Sequence, residues 1–427
     1  MTAPHYIPIE EAIQLVQSGD HLYWPCVAAS PQQLLRALVA RGERNELHDV
    51  NMIHLHTEGY AGYAAPEHKD HFHLDAIFVG ANSRAANDSG QADYIPVSLS
   101  DTGKMIRTGA QRVDGVLLMV SEPDEEGYVS LGTSVDCAWD AIAQARYVIA
   151  QVNSYMPYTY GDTRLPLSKI TALTRFDEPL YAAGYPELTD VDRAIGRHAA
   201  ELIEDGATLQ MGIGRIPNAV MAILGDRKHL GIHSEMFSDG AIPLIESGVI
   251  DGSCKKIDIG KHVASFLKGS SDLYRYVHRN ESVMVRDISY TNSPMVIAQN
   301  PNVIALNSAI QIDLTGQVCS DSFGSRIYSG SGGQLDFMLG AAYSEGGKPI
   351  IAMPSITGKG ISKIVPQLTL GAGVVTPRTC VHWVITEQGR VNLFGKPIHE
   401  RARMLISIAH PSVRQTLEQQ AHVLGIF

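Results

Sequence analysis

The sequence predicts an α/β protein made of two duplicated domains, each built on a mostly parallel sheet. The chain has 427 residues, which is more than one hydrophobic core usually serves. Short apolar runs alternate with amphipathic stretches of helical period, as they do in strand–helix–strand units. The order of these segments in the first half returns in the second half. We therefore predict one domain at residues 1–185 and another at residues 186–427.

The clearest helix signal opens the second half. Thr189 or Asp190 can cap a helix that Gly206 ends. The run ATLQMGIG then predicts a buried strand, Pro217 a helix start, and LGIHSE the next strand. Such a unit makes its two strands parallel and brings their carboxyl ends to one edge of the sheet. Glu235 is expected to lie on that edge.

A similar series opens the chain. It runs through helical EEAIQLVQSG, the strand HLYWPCVAA, helical PQQLLRALVARG and the strand VNMIHLHTEG. The triplet His56-Thr57-Glu58 therefore corresponds to His233-Ser234-Glu235. The later strands VDGVLLMV and ARYVIAQVN likewise correspond to NVIALNS and KPIIAMP. A duplicated pair of parallel-sheet domains predicts a cleft between them, to which loops of both halves contribute.

Composition excludes several classes of function. Hydrophobic residues make up 44% and charged residues 19%, so we expect a folded chain throughout. The net charge is −11 and no Lys/Arg-rich run occurs, which argues against a nucleic-acid partner. The five cysteines are scattered without a CxxC pair, which favours a reducing cytoplasm. The sequence shows neither a signal-like segment nor an apolar run of about 20 residues, so we expect neither secretion nor membrane insertion.

Several familiar catalytic patterns are missing. The segment Gly212-Ile213-Gly214 is followed by Arg215 rather than by the spacing of a dinucleotide fingerprint. The segment 358–363 has lysines and glycines, but not in the order of a phosphate loop. No GxSxG motif surrounds a serine. The histidines of PEHKDHFH lack an accompanying HExxH pattern, so a solvated loop is favoured and no metal site is predicted.

Two remaining features could carry chemistry. Glu235 directly follows an apolar strand, although position alone favours an ordinary carboxylate bonded to backbone N–H groups at a helix start. The turn 329–334 precedes a helical stretch, so its backbone N–H groups could bind an anion or a developing oxyanion. A plain tight turn explains its glycines equally well.

The motifs taken together are more specific than any one of them. The chain resembles the acetyl-CoA hydrolase/transferase family, which includes 4-hydroxybutyrate, butyryl-CoA:acetate and itaconate CoA-transferases. The resemblance runs from end to end and is strongest from residue 205 to 410. It rests on the segments HSEMFSDGAIPLIESGVI, ISYTNSP, SAIQIDLTGQVCSD, GSGGQLDF and VHWVITEQGRVNLFGK.

The resemblance implies two CoA-transferase domains with the active site in the cleft between them. It implies that Glu235 is the nucleophile, that Asn292 and Gly332 help to hold the oxyanion, and that Glu58 is a degenerate copy. It also implies a loop that lines the cleft and includes Gly212, Gly214 and Pro217. The expected enzyme is a cytoplasmic homodimer or higher homo-oligomer. It uses coenzyme A and acyl-CoA as substrates, with no tightly bound cofactor.

The ligand contacts are less sharply predicted. Backbone groups of Gly330 and Gly333 are candidates for holding the thioester or its oxyanion. The CoA phosphates call for basic residues; of Lys261, Lys268, Lys359 and Lys363, we select Lys359. A dicarboxylate would need a second cation, for which the candidates are Arg84, Arg107 and Arg215. An acyl-CoA hydrolase with the same glutamate, or a non-catalytic CoA-ester sensor, remain the alternatives.

Overall fold

The chain divides into two compact units. The computed structural model describes residues 5–184 and 187–427. The first unit comprises the chain up to Gly184 together with Val263–Thr291, and the second comprises the remainder. The domain boundary near residue 185 stays a prediction. The segment 263–291 packs with the first unit although it follows the first strands of the second half in sequence.

The helices largely follow the amphipathic stretches of the sequence. In chain order they are α1 (Ile9–Ala12), α2 (Gln32–Glu43), α3 (Arg84–Ser89), α4 (Thr102–Arg107), α5 (Ala138–Gln144), α6 (Asp190–Ala200), α7 (Arg215–Met221), α8 (Ile242–Glu246), α9 (Ser271–Val277), α10 (Ile288–Thr291), α11 (Pro294–Ile297), α12 (Gln334–Tyr343), α13 (Ile398–Ser407) and α14 (Pro411–Val423).

The helix starts show how local sequence acts. Thr189 caps α6, because its side chain accepts from the backbone N–H of Asp192 while the Asp192 carboxylate accepts from the N–H of Thr189. Helix α7 begins at Arg215, two residues earlier than the start predicted at Pro217. Proline is tolerated there because the first-turn N–H groups of a helix have no partner within the helix.

A sheet of seven strands forms the core of the first unit as described. Its strands are β1 (His21–Tyr23), β2 (Val50–His54), β3 (Phe72–Ala76), β4 (Ala92–Tyr94), β5 (Gly115–Val120), β6 (Tyr147–Val152) and β7 (Ala172–Arg175). Their order across the sheet is β7-β6-β5-β1-β2-β3-β4, and all neighbours are parallel. Strands β5 and β6 are buried along their whole length, as their unbroken apolar runs predict.

A sheet of six strands forms the core of the second unit as described. Its strands are β8 (Thr208–Met211), β9 (Gly231–Ile232), β10 (Val303–Asn307), β11 (Lys348–Ala352), β12 (Trp383–Thr386) and β13 (Gly389–Asn392). The order is β9-β8-β10-β11-β12-β13. Only the pairing of β12 with β13 is antiparallel within this sheet.

The strand pairing repeats between the units. In the first unit the parallel series runs β2-β1-β5-β6, and in the second it runs β9-β8-β10-β11. The duplication predicted from segment order is therefore confirmed in the topology. Glu58 follows β2 and Glu235 follows β9, so the two acids occupy equivalent positions at the carboxyl ends of equivalent strands.

Several predicted strands are shorter than their sequence runs, and β1 and β9 are two examples. Strand β1 ends at Tyr23 rather than continuing through HLYWPCVAA, and Pro25, which lacks a backbone donor, follows shortly after. Strand β9 ends at Ile232, although the backbone N–H of His233 still donates to Leu209 at 3.1 Å. Beyond that point the ladder is continued by a side chain: the Ser234 hydroxyl donates to the Met211 carbonyl oxygen and accepts from the Met211 N–H.

Smaller strands complete the described structure. They are Tyr128–Ser130, Tyr160–Gly161, Arg164–Pro166, Met236–Phe237, His262–Ala264, Phe266–Leu267, Val283–Val285, Gln311–Asp313, Val318–Cys319, Ser322–Phe323, Arg326–Ile327 and Ile364–Val365. In the described ranges, no helix is both long and apolar enough to span a bilayer. Nor does any group of three or more His, Cys, Asp or Glu side chains in these ranges offer a metal site.

The histidine-rich segment is not the solvated loop that its composition favours. His68 is buried, and His73 lies on strand β3. Each ring has its own partner: His71 Nδ1 lies 2.8 Å from the Leu47 carbonyl oxygen, and His73 Nε2 lies 3.5 Å from an Asp75 carboxylate oxygen. Tertiary packing therefore gives these residues different partners, although the His68 and His71 rings stay near each other, with their centroids 6.5 Å apart.

Candidate active site

Glu235 stands at the carboxyl end of β9, on a backbone held from the strand side. The N–H of His233 is bonded to β8, and Ser234 is tied to Met211 through its hydroxyl. Both side chains are buried, whereas Glu235 is only half-buried. The carboxylate therefore extends from an anchored chain into a partly accessible space, as the predicted strand–helix–strand unit requires.

Two groups distant in sequence meet the Glu235 carboxylate. The Asn292 side-chain Nδ2 donates to Glu235 Oε2 at 2.9 Å. Gly333 lies so close that a Cβ added to it would stand 2.0 Å from Glu235 Oε2 and 2.2 Å from Asn292 Nδ2. A side chain at this position would therefore displace the Glu235 carboxylate or the Asn292 amide from the observed arrangement. The structure thus brings together three of the residues that the sequence selects.

Asn292 is oriented at an energetic cost. Its side chain is 0% exposed, and its Oδ1 has no hydrogen-bond partner within the described chain. A buried acceptor without a partner costs about 1 to 3 kcal/mol. An amide held in this way, with Nδ2 toward a carboxylate, is typical of a group kept for binding or chemistry rather than for stability.

The amino end of α12 lies at the same place. Gly333 is the residue before the helix, and α12 continues for ten residues. The first N–H groups of a helix lack partners within it and carry partial positive charge, so they favour an anion nearby. Gly332 precedes this cap with a φ of +56°, the left-handed backbone that glycine adopts readily. Gly330 is buried in the same turn.

A pocket adjoins the backbone on both sides of Glu235. Ser234 and Met236 line it, together with Gly212 and Pro217 of the predicted loop. The remaining lining residues are Leu209, Met211, Asn218, Met221, Ile232, Phe237, Ser238 and Ala241. No side chain in this lining carries a formal charge, so the pocket suits an uncharged part of a substrate. Gly214 lies just outside it, as the residue that precedes α7.

Lys359 is placed differently from the other selected residues. It is exposed on a tight turn that a hydrogen bond from the Thr357 N–H to the Ile361 carbonyl oxygen closes. Lys363 nearby is half-buried, and burial lowers the pKa of its amine to about 8. Lys363 is therefore the less solvated of these two lysines.

The equivalent acid of the first unit has other neighbours. Glu58 Oε1 accepts from the Lys268 ammonium and lies 3.0 Å from His56 Nε2. Burial opposes ionisation of Glu58, but the hydrogen bonds from His56 and Lys268 and the charge of Lys268 outweigh it, lowering the pKa to about 2. Glu58 is thus paired with a cation, and Glu235 Oε2 accepts from the Asn292 amide. Lys268, a candidate for the CoA phosphates, is engaged in this ion pair.

This ion pair leads to a stability prediction. Its two side chains are only 14% and 16% exposed, so Glu58→Gln should lower the free energy of unfolding by about 2 kcal/mol at pH 7. Because the folded pKa of about 2 lies below the ordinary value of 4.5, this stability is present above pH 4.5 and is lost as pH falls toward 2.

Urea unfolding of the wild type and of Glu58→Gln at pH 7 and pH 3.5 would measure this loss. The difference between the two proteins should shrink at the lower pH. Glu125 is exposed, so Glu125→Gln should change stability by less than about 0.5 kcal/mol at either pH. A constant difference between wild type and Glu58→Gln would contradict the assigned pKa.

Two candidates for a second cation are engaged elsewhere. The Arg107 guanidinium lies 2.8 Å from an Asp140 carboxylate oxygen, and Arg215 Nε lies 3.3 Å from Asp192. Both arginines are already paired with an acid, which weakens the case for either as the group that binds a dicarboxylate.

The sequence and its resemblance select the glutamate, the asparagine and the glycine turn as candidates, but they do not reveal the contacts that hold these residues. Ser234, the residue before Glu235, bonds the backbone of Met211, and the buried Lys255 donates to the carbonyl oxygen of Ile232, three positions before Glu235. Ser234 could have been noticed as a hydroxyl directly before the acid. Nothing in the sequence around Lys255 distinguishes it from its exposed neighbour Lys256.

Two family models match the chain. The acetyl-CoA hydrolase/transferase N-terminal domain matches residues 5–184, and the acetyl-CoA hydrolase/transferase C-terminal domain matches residues 269–421. The chain therefore belongs to the acetyl-CoA hydrolase/transferase family.

Individual relatives agree with this assignment. The chain is 44% identical to the succinyl-CoA:acetate/propanoyl-CoA:succinate CoA transferase of Fasciola hepatica, covering 96% of this chain and 86% of that protein. It is 42% identical to the 4-hydroxybutyrate coenzyme A transferase of Clostridium kluyveri, covering 96% of each. RipA from Yersinia pestis has a similar structure, with a TM-score of 0.94, 34% identity, and coverage of 99% and 98%. The protein is an enzyme that transfers CoA, and the predicted fold and class are confirmed.

Proposed function

We propose that this CoA-transferase moves CoA between short-chain carboxylic acids through a thioester on Glu235. The observation that carries the proposal is the meeting of the Asn292 amide and the Gly333 backbone at the Glu235 carboxylate. A carboxylate at the carboxyl end of a parallel strand, beside hydrogen-bond donors and a helix amino end, has the parts needed for acyl transfer.

The chemistry proceeds in two balanced halves. The Glu235 carboxylate attacks the carbonyl carbon of acyl-CoA, and the carbon–sulfur bond then breaks, which releases CoA as a thiolate and leaves a mixed anhydride between the acyl group and Glu235. The thiolate then attacks the glutamyl carbonyl carbon of that anhydride and releases the donor acid as its carboxylate. The acceptor acid reverses both steps and leaves as its own CoA ester. No water enters, so the free energy of the thioester is conserved, and the kinetics are ping-pong.

Each tetrahedral stage places negative charge on a former carbonyl oxygen. The donors available near Glu235 are the Asn292 amide and the N–H groups of the turn through Gly332 and Gly333. A donor of this kind contributes roughly 3 kcal/mol to the transition state in acyl-transfer sites. The pocket beside Glu235 then holds an uncharged part of the substrate, next to the loop that contains Gly212, Gly214 and Pro217. Gly330 supports the turn before α12. Lys359 or Lys363 binds a CoA phosphate.

The direct test is to trap the glutamyl thioester. The protein would be incubated with succinyl-CoA, butyryl-CoA or acetyl-CoA without an acceptor, reduced with borohydride, and digested for peptide mass spectrometry. We expect Glu235 to be converted to its alcohol, whereas Glu58 stays unmodified. An unmodified Glu235 in protein that binds acyl-CoA would contradict the proposal.

The relatives suggest which acids to try. Their names include succinyl-CoA, acetate, propanoyl-CoA and 4-hydroxybutyrate, and our candidates from the resemblance add butyrate and itaconate. We propose acids of this length as donors and acceptors. A screen that follows CoA release should show strict dependence on an added acid; release without any acid would indicate the hydrolase instead.

The Asn292 amide has a measurable role in this scheme. Asn292→Ala removes the donor to Glu235, so kcat should fall by about 10²- to 10³-fold. Asn82→Ala is a control from the first unit, where the Asn82 amide donates to the Thr57 carbonyl oxygen at 3.2 Å. Steady-state assays of both variants would compare them. Activity of Asn292→Ala within about threefold of wild type would remove this residue from the mechanism.

The surroundings of the enzyme are also proposals. We propose a cytoplasmic homodimer or higher homo-oligomer that has no tightly bound cofactor and uses acyl-CoA and short carboxylates as its partners. The scattered cysteines support the cytoplasmic location, and the net charge of −11 argues against a nucleic-acid partner. Light scattering would give the oligomeric state, and the absorbance spectrum of the purified protein would reveal a chromophoric cofactor.

A further inference from the structure

A buried lysine lies beside the strand that leads to Glu235. Lys255 is 3% exposed, and its Nζ donates to the carbonyl oxygen of Ile232 at 3.0 Å and to that of Lys261 at 2.8 Å. Ile232 is the last residue of β9, three positions before Glu235. Burial lowers the pKa of Lys255 to about 8, against the opposing charge of Asp258. Burying an ammonium is costly, so the buried position of Lys255 against this backbone needs an explanation.

Strand β9 lies at the edge of its sheet, and Lys255 hydrogen-bonds the side of the strand that faces away from β8. Gly231 and His233 donate to β8, at 2.9 Å to Ala207 and at 3.1 Å to Leu209. The backbone groups of alternate residues point to opposite sides of a strand, so the Ile232 carbonyl faces away from β8. Lys255 supplies the hydrogen bond that no further strand provides at this edge.

At Leu230, the residue before β9, backbone groups make the hydrogen bonds along this same edge. Leu230 donates to the Val249 carbonyl oxygen at 2.9 Å, and its own carbonyl accepts from Asp251 at 3.1 Å. The segment that contains Lys255 therefore runs along the edge of β9 and extends its hydrogen bonding toward Glu235. The lysine makes the last of these bonds before the acid.

Gly231 shows how closely the lysine is fitted to the strand. A Cβ added at Gly231 would stand 2.7 Å from Lys255 Cγ and 2.9 Å from Lys255 Cδ. The aliphatic stem of Lys255 thus occupies the space that any side chain at Gly231 would need. The stem therefore packs against Gly231 and the ammonium bonds to Ile232, so the side chain contacts two consecutive residues of β9.

We propose that Lys255 is a positioning residue, which fixes the end of β9 so that Glu235 meets Asn292 and Gly333 in the reacting geometry. This inference rests on the proposed role of Glu235 as the nucleophile. Lys255 acts through the backbone and does not touch the substrate. A shift of about 1 Å in a reacting group can cost on the order of 100-fold in rate.

The test measures how fast the thioester forms on Glu235 in a single turnover with saturating butyryl-CoA. Lys255→Met keeps most of the stem but removes the N–H donors, so the rate should fall by about 100-fold. The butyryl-CoA concentration for half-maximal rate should stay within about twofold of wild type. Lys255→Arg restores charged donors and should recover at least about tenfold of the loss.

Lys256→Met is the matched control. Lys256 is the exposed neighbour, with its Nζ 3.6 Å from Glu345, and the same substitution there should leave the rate unchanged. Lys255→Met at the wild-type rate would overturn the inference. Equal losses of rate in the Met and Arg variants would also overturn it. So would a higher butyryl-CoA concentration for half-maximal rate at an unchanged maximal rate.

A second variant covers the case in which Lys255→Met does not fold. Gly231→Ala retains Lys255 in the sequence but displaces its stem from β9, so thioester formation should slow in folded protein. An unchanged rate would overturn the inference. Failure of the proposed function is recognised separately, because wild-type protein would then carry no thioester on Glu235 before any variant is compared.

Discussion

Replacing Glu235 by Gln is expected to reduce CoA transfer by at least about 10⁴-fold, because an amide cannot attack the thioester as a carboxylate does. The side chain keeps nearly the same size, and its Oε1 can still accept from Asn292. Binding of acyl-CoA should therefore persist. Initial rates with each donor and acceptor pair, together with the absence of borohydride-trapped product, would measure the loss.

Glu58→Gln is the matched control for this result. Glu58 has the equivalent place after β2, but it is paired with Lys268 and His56. An ion-paired carboxylate with a pKa of about 2 is a weak nucleophile. We expect substantial activity in this variant at temperatures below its lowered melting point. Loss of transfer in Glu58→Gln with retention in Glu235→Gln would assign the nucleophile to the first repeat.

Adding one methyl group at Gly333 is expected to reduce transfer by about 10²-fold or more. In Gly333→Ala the new Cβ would stand 2.0 Å from Glu235 Oε2 and 2.2 Å from Asn292 Nδ2, distances that the site cannot keep. Either the carboxylate or the first turn of α12 must move, and both belong to the reacting geometry. The backbone of Gly333, with φ −88° and ψ 11°, is itself open to alanine. The loss should therefore appear in kcat more than in the free energy of unfolding.

Gly225→Ala provides the comparison. Gly225 is exposed, and a Cβ added there would meet no atom within 4 Å. Its activity should match wild type. Thermal unfolding of both variants would separate a local effect from loss of the fold. Wild-type turnover in Gly333→Ala would mean that Glu235 does not react in the position that the structure shows.

Much of the fold was predictable because strands and helices are encoded by near neighbours in sequence. The apolar runs of β5, β6 and β10 and the capping residue Thr189 all appear as predicted. The shortened strands were not predictable in the same way. Strand β9 stops at Ile232 because a serine hydroxyl takes over the ladder, and that depends on where Met211 lies in the folded chain.

The candidate site likewise has features that the sequence predicts and features that it does not. The sequence by itself determined that an acid follows an apolar strand in each repeat and that a glycine turn precedes a helix. It could not decide which acid meets an ammonium ion and which meets an amide. Glu235 and Asn292 are 57 residues apart, and Glu58 and Lys268 are 210 residues apart.

Only the tertiary structure sets those partners. Periodicity records which face of a helix or strand is buried, because that face recurs every few residues along the chain. The distance between residues in different elements depends instead on how the sheets are ordered and on how the loops return. The need for glycine at residue 333 and the bonds of Lys255 to the strand before Glu235 are consequences of that packing.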